Sequence, residues 1–127
     1  MADEDYLECA FMIPLVRNDD KQPHGHMAWR EFDDAMNRTF VAGSTGPERL
    51  YQVAPVPGKY SDTQGKLVED ESWRYYLALP LSRIDELRQL LKKACNTFAQ
   101  ESIYLSVGGK VELVFGRPED GFLGGPR

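Results

Sequence analysis

Cysteine is scarce here, with only Cys9 and Cys95 in 127 residues. The two lie far apart and form no CxxC. A disulfide scaffold and a zinc ribbon are therefore not spelled out, and two buried free thiols in a reducing compartment are the expectation. Histidine is equally rare, at two residues. No apolar run approaches the ~20 residues needed to cross a bilayer. Met1 to Tyr6 is acidic where a signal peptide would be basic, so the expectation is a soluble cytoplasmic protein with no membrane partner. Positive charge is outnumbered, with Lys and Arg at 15 against 20 Asp and Glu, a balance of −5. The mean field repels phosphate backbones, whose non-specific capture depends on Lys and Arg, so no nucleic-acid partner is expected. GxGxxG, HExxH, GxSxG and SxxK are all missing. Asn37-Arg38-Thr39 matches a glycosylation sequon, which means nothing without a secretory signal.

What the chain does have is apolar content, 42% of residues, enough for a single domain at this length to bury about two thirds of its unfolded surface. Tyr6 to Val16 reads as a strand with Leu7, Cys9, Phe11 and Ile13 on one face and Glu8, Ala10 and Met12 on the other. Apolar residues on both faces predict a central strand, whose regular part ends before Pro14. Arg17 to Gly25 is a polar loop. Trp29, Phe32, Met36 and Phe40 predict a helix over 27–40, stopped by Gly43-Ser44-Thr45-Gly46-Pro47. Leu50 to Pro55 is the weakest strand, possible to extend past Pro57-Gly58 to Tyr60. Asp62 to Lys66 reads as a turn.

Glu71 to Leu79 alternates cleanly, with Trp73, Tyr75, Leu77 and Leu79 on one face and Arg74, Tyr76 and Ala78 on the other. Ser82 and Asp85 resemble a capping box, and Ile84, Leu87, Leu90, Leu91, Ala94, Cys95 and Phe98 form a helical stripe behind it. Ile103 to Val107 and Lys110 to Phe115 make a hairpin about Gly108-Gly109. From Gly116 on, glycine and proline dominate, which predicts a flexible tail over 116–127 after one domain over 6–115.

The order is β, α, β, β, α, β with one extra strand. That is the α+β, ferredoxin-like split βαβ pattern, an antiparallel sheet with two helices on one face. With the helices over Phe11, Leu77 and Leu105, the other face is expected to show Glu8, Ala10, Met12, Arg74, Tyr76, Ala78, Tyr104, Ser106, Glu112 and Val114.

Phe98-Ala99-Gln100-Glu101-Ser102-Ile103-Tyr104-Leu105, followed by Gly109 and Val111-Glu112, resembles the C-terminal part of short bacterial proteins in families of unknown function. The likeness also touches Met12-Ile13-Pro14-Leu15, Trp29 with Phe32, and Asp70-Glu71-Ser72, and spans 6–115 in outline. The resemblance implies a compact α+β fold and brings no activity, cofactor or catalytic residue with it.

Several residue groups invite a chemical role, and each has a plainer one. His24-Gly25-His26 would aim two imidazoles the same way on an extended backbone, with Asp19 and Asp20 as further ligands. These are weak metal candidates, because both histidines sit in a loop at a helix start. Glu69, Asp70 and Glu71, with Glu101, could divide acid and base roles, with Tyr60 or His26 as partners. Carboxylates at element ends are usually just solvated. Tyr76 and Tyr104 beside Arg74 suggest base stacking on an RNA-binding sheet, yet Glu8 and Glu112 oppose the cation there. Gly108-Gly109-Lys110 lacks the rest of a phosphate loop, and Val111 stands where Ser or Thr would hold magnesium. No catalytic residue and no cofactor is assigned.

The leading expectation is a binding domain, not an enzyme, that forms a homodimer through the open sheet face, with Glu8, Met12, Arg74, Tyr76 and Tyr104 as binding residues. The alternative is a small-molecule-binding protein or enzyme whose pocket forms between the sheet faces of a dimer. A third is an accessory subunit whose sheet edge or tail orders only with its partner.

Overall fold

The computed structural model describes residues 5–16, 22–61 and 64–116. Strand β1 spans Tyr6–Pro14 and helix α1 spans His26–Met36, continued by a π-helical turn over Asn37–Val41 and a 3-10 turn over Pro47–Arg49. The hairpin β2 (Gln52–Ser61) and β3 (Leu67–Pro80) follows. A 3-10 turn over Leu81–Arg83 then leads into α2 (Ile84–Thr97), and β4 (Ser102–Val107) and β5 (Lys110–Phe115) close the domain. The sheet order is β2-β3-β1-β4-β5, with every neighbouring pair antiparallel. This is the split βαβ arrangement with a fifth strand added at the β4 edge.

Position in the sheet follows from composition. Strand β1 is central, and Cys9, Ala10, Phe11 and Ile13 are all buried. Strand β2 is an edge and carries Pro55 and Pro57, which pair with Trp73 and Glu71. Proline lacks the N–H a central ladder needs, so an edge is where it fits, and it also blunts that edge against further pairing. Both β2 and β3 run further than the sequence pattern indicated, to Ser61 and from Leu67.

The core lies between the sheet and both helices. Phe11 stacks on Tyr75 with ring centroids 4.8 Å apart, and Phe32 meets both rings edge-on. Helix α1 buries Phe32 and Met36, and the π-turn after it buries Phe40. Helix α2 buries Ile84, Leu87, Leu90, Leu91, Ala94 and Cys95. Each large side chain so buried contributes roughly 2 kcal/mol, which makes packing the main hold on these helices. The expected capping box is not the start of α2. Ser82 lies in the preceding 3-10 turn, and the N-cap is Arg83, with no side-chain cap bond. Asp85 and Glu86 instead face the helix dipole from the first turn.

Between β4 and β5 the turn is two residues long, with φ of 56° at Gly108 and 87° at Gly109, the left-handed backbone that such a turn requires. It pairs Val107 with Lys110, Leu105 with Glu112 and Ile103 with Val114. Opposite residues in an antiparallel pair share a face. Glu112 and Val114 therefore lie on the helix side, correcting the sequence expectation, and Val111, Leu113 and Phe115 take the open face. The tail after Gly116 and the loop acids Asp19 and Asp20 lie outside the described residues.

Candidate functional site

The open face is laid out by register. Gln52, Tyr76, Ala10, Ser106 and Val111 form one row across the five strands, and Ala54, Arg74, Met12, Tyr104 and Leu113 form the next. Glu8 and Ala78 pair one row further along. Arg74 folds its guanidinium over the Tyr76 ring, 4.5 Å from the centroid, a cation–π contact. Glu8, Met12, Arg74, Tyr76 and Tyr104 thus share one face, as their alternation indicated. Tyr76, Tyr104, Val111, Leu113 and Phe115 remain 36 to 57% exposed, so no described segment covers them. Three of these five come from β5, where alternation carried through the turn from β4 gives the wrong parity and so points to Glu112 and Val114 instead.

The histidines do not form a pair. His24 is buried, with Nε2 2.8 Å from the Pro14 carbonyl and its ring edge-on to Trp29 and Phe98. A carbonyl only accepts, so Nε2 carries the proton. His26 begins α1 and is exposed. A helix starting there removes the two-residue alternation that would have aligned the rings. Among the described residues, no group of three or more His, Cys, Asp or Glu could hold a metal ion.

The carboxylates are likewise spread out. Glu71 stands on β3 opposite Pro57 and is exposed, while Glu101 precedes β4, its carbonyl accepting from the Gly116 N–H. Strand β1 separates β3 from β4. The side chains of Tyr60, Glu69 and Asp70 lie outside the described residues. Both thiols are buried, and burial raises each to about 11, which keeps them protonated and poorly nucleophilic near neutrality.

A second feature was not legible in the sequence. Between α1 and the β2–β3 hairpin lies a shallow pocket of about 480 Å³, lined by Trp29, Asp33, Tyr51, Val53, Trp73 and Tyr75. Its walls are held by the core: Tyr75 stacks on Phe11, Trp29 packs against Phe98 with centroids 4.6 Å apart, and Tyr51 tilts against Tyr75 at 6.1 Å. The Tyr75 hydroxyl donates to Asp33 Oδ1 at 3.4 Å, and the Tyr51 hydroxyl donates to Asn37 Oδ1 at 3.3 Å. Burial raises the Asp33 carboxyl above its usual range. The Tyr75 hydrogen bond works against that rise, and the Asp34 charge adds to it. Tyr75 is pushed up by burial and then by the charge of Asp33, and Tyr51 by the same two causes. Both phenols stay neutral, which makes Asp33 the one acidic group in a lining otherwise made of four aromatic rings and Val53.

No protein-family model matches the chain, and no curated protein matches it. Among solved structures, it is similar to a phage SAM lyase in complex with S-methyl-5′-thioadenosine, at a TM-score of 0.61 and 16% identity over 91% of this chain and 94% of that one. The apo state of a phage SAM lyase gives 0.60 and 16%, over 87% and 90%. A Bacillus cereus protein related to NIF3 gives 0.55 and 14%, over 84% of this chain but 26% of that larger one. At these identities the likeness is one of fold.

Proposed function

We propose that the protein works as a homo-oligomer assembled through the uncovered sheet face, with a second copy of this chain as the partner. The observation that carries this reading is the run of Tyr76, Tyr104, Val111, Leu113 and Phe115 on the open face. Large apolar side chains gathered in one patch are unfavourable to leave in water. The face also holds Glu8 and Arg74, two rows apart. Two sheets packed about a two-fold axis can set the carboxylate of each copy against the guanidinium of the other, the self-complementarity an isologous interface needs. Light scattering on the purified chain tests it. A dimer or larger ring is expected, falling to monomer in Leu113→Glu and Tyr104→Glu. A wild-type monomer at high micromolar concentration ends the proposal.

A second reading gives that assembly a ligand, favoured by a fold likeness that runs over nearly the whole of both chains. The phage lyase structure holds S-methyl-5′-thioadenosine, so S-adenosylmethionine and that thioether are the ligands of choice for this chain. Folds host many functions, which makes the ligand an analogy and the assay decisive. Release of the thioether breaks the C–S bond to the amino-acid side chain; its electron pair goes to sulfur, cancelling the sulfonium charge, while the substrate's own carboxylate oxygen bonds to the carbon that sulfur leaves and closes a lactone. Incubation with S-adenosylmethionine, followed by mass spectrometry for S-methyl-5′-thioadenosine, tests the reading. Product formed faster than in buffer supports it. Absence of both product and calorimetric binding removes the ligand and leaves the oligomer standing.

A further inference from the structure

The pocket between α1 and the β2–β3 hairpin has a composition that selects for one kind of guest. We infer that Trp29, Tyr51, Trp73 and Tyr75, with Asp33, bind the methylated onium group of a small organic cation, a quaternary ammonium or a sulfonium. Such groups cannot donate strong hydrogen bonds, so a site recognises them by aromatic faces around the methyls and an anion nearby. Both conditions are met here. Four of the six lining residues are aromatic, and they include both tryptophans of the chain. Asp33 is oriented by the Tyr75 hydroxyl, and among the described residues no Lys or Arg pairs with it. A carboxylate set among rings without a counter-ion is where a desolvated cation gains most. The volume, about 480 Å³, falls in the range of small-molecule sites and leaves room for whatever carries the onium group.

Rigidity favours the same reading. Three of the four rings are fixed by contacts to the core or to each other, so little side-chain freedom is lost when a guest arrives. The nearby groove between α1 and α2, about 560 Å³, has Glu31, Arg38, Asp85, Glu86 and Lys93 along it. Mixed charge of that sort selects nothing in particular.

Since Trp29 and Trp73 both line the pocket, the intrinsic fluorescence of the full chain reports on it directly. The test titrates the protein with choline, with tetramethylammonium, and with 3,3-dimethylbutan-1-ol, which has the shape of choline without the charge, at constant ionic strength. Saturable quenching by the two ammonium ions and a response at least roughly tenfold weaker to the alcohol are expected. Asp33→Asn, which keeps an oxygen for Tyr75, should weaken the ammonium ions by a similar factor. Tyr51→Leu, on the rim, should weaken them as well and guards against a variant that fails to fold. Equal response to choline and the alcohol shows an apolar cleft only, and absence of saturation in the wild type shows aromatic packing only; either result overturns the inference. Titration with S-adenosylmethionine against S-methyl-5′-thioadenosine separates the sources, and only this arm rests on the second reading above. Quenching by the sulfonium alone assigns the pocket to it. Ammonium binding without sulfonium binding keeps the pocket and moves its guest to the methylammonium class.

Discussion

Arg88 Nε lies 2.8 Å from Glu112 Oε1, and Nη2 reaches Oε2 at 3.2 Å, a two-point clasp between α2 and β5. Arg88 also holds Asp85 at 2.7 Å on its own helix. Glu112 would be stranded on the open face had the hairpin turned with other parity. The clasp is half-exposed, so its value is modest. Glu112→Gln should lower stability in urea by about 0.5–1 kcal/mol, with a coupling of the same sign in a double-mutant cycle with Arg88→Met. High salt should shrink that coupling, and a coupling indifferent to salt would mean that shape, not charge, holds the contact.

Neighbouring residues on β5 give the sharpest test of its register. Val114 is buried under α2 and Leu113 is exposed on the reverse face. Val114→Asp should destabilise by roughly 3 kcal/mol or more, because it buries an unpaired charge. Leu113→Asp should change the unfolding free energy of the isolated chain in urea by no more than about 0.5 kcal/mol and act on assembly instead. Similar losses from both would place the two side chains in similar surroundings and falsify the register.

How far the sequence reached can be seen in these same strands. Trp73, Tyr75, Leu77 and Leu79 alternate on a strand flanked by partners on both sides, and a period of two read locally was enough to find their face. The same holds for Glu8, Met12, Arg74, Tyr76 and Tyr104, which share the open face. Glu112 and Val114 were misplaced because parity across a turn depends on which residues pair at its base, a count that apolar alternation does not supply. Strand β2 was blurred by Pro55 and Pro57, whose tolerance depends on an edge position that only the assembled sheet defines. The aromatic pocket was invisible for a related reason. Trp29 and Trp73 each read as core residues on their own elements, Asp33 stands off the apolar stripe of its helix, and only the crossing of α1 over the hairpin brings them together.

The end of α2 stores a small, correctable strain. Gln100 N–H bonds to the Cys95 carbonyl and Ala99 N–H to that of Asn96, the two bonds of a Schellman closure. The residue in the left-handed position is Ala99, at φ 51°, where glycine is the usual occupant. Ala99→Gly should therefore raise stability by about 0.5–1 kcal/mol, measured as a higher melting temperature. Gln100, whose Nε2 donates to the carbonyls of Val16 and Phe98, holds the same corner, so Gln100→Ala should move the melting temperature the other way.

Cys9 and Cys95 set the alkaline limit. Burial is the main cause that lifts each thiol from 9.0 to about 11. Between those values the native state keeps protons that the unfolded chain has released, so stability falls as pH rises from 9 to 11. Tyr75 and Tyr51, both displaced upward, act in the same direction further on. A disulfide-exchange reagent at pH 8 should label neither thiol in the native chain and both after urea unfolding. Rapid labelling of the native protein would contradict the burial.

Asp33 separates folding from function. Burial displaces its carboxyl upward, so the native state holds this proton more tightly than the unfolded chain does. The contribution is fully present below the unfolded value of 3.8 and is lost as pH rises through the higher folded one. At neutral pH the ionised group therefore works against the fold. Asp33→Asn keeps an acceptor for Tyr75 and removes the charge, and should melt no lower than the wild type at pH 7. Its margin over the wild type should narrow as the solution is acidified and the native carboxyl regains its proton. A lower melting temperature at pH 7 would mean that the charge is held by a stabilising partner, and the anion would then be spoken for before any cationic guest arrives.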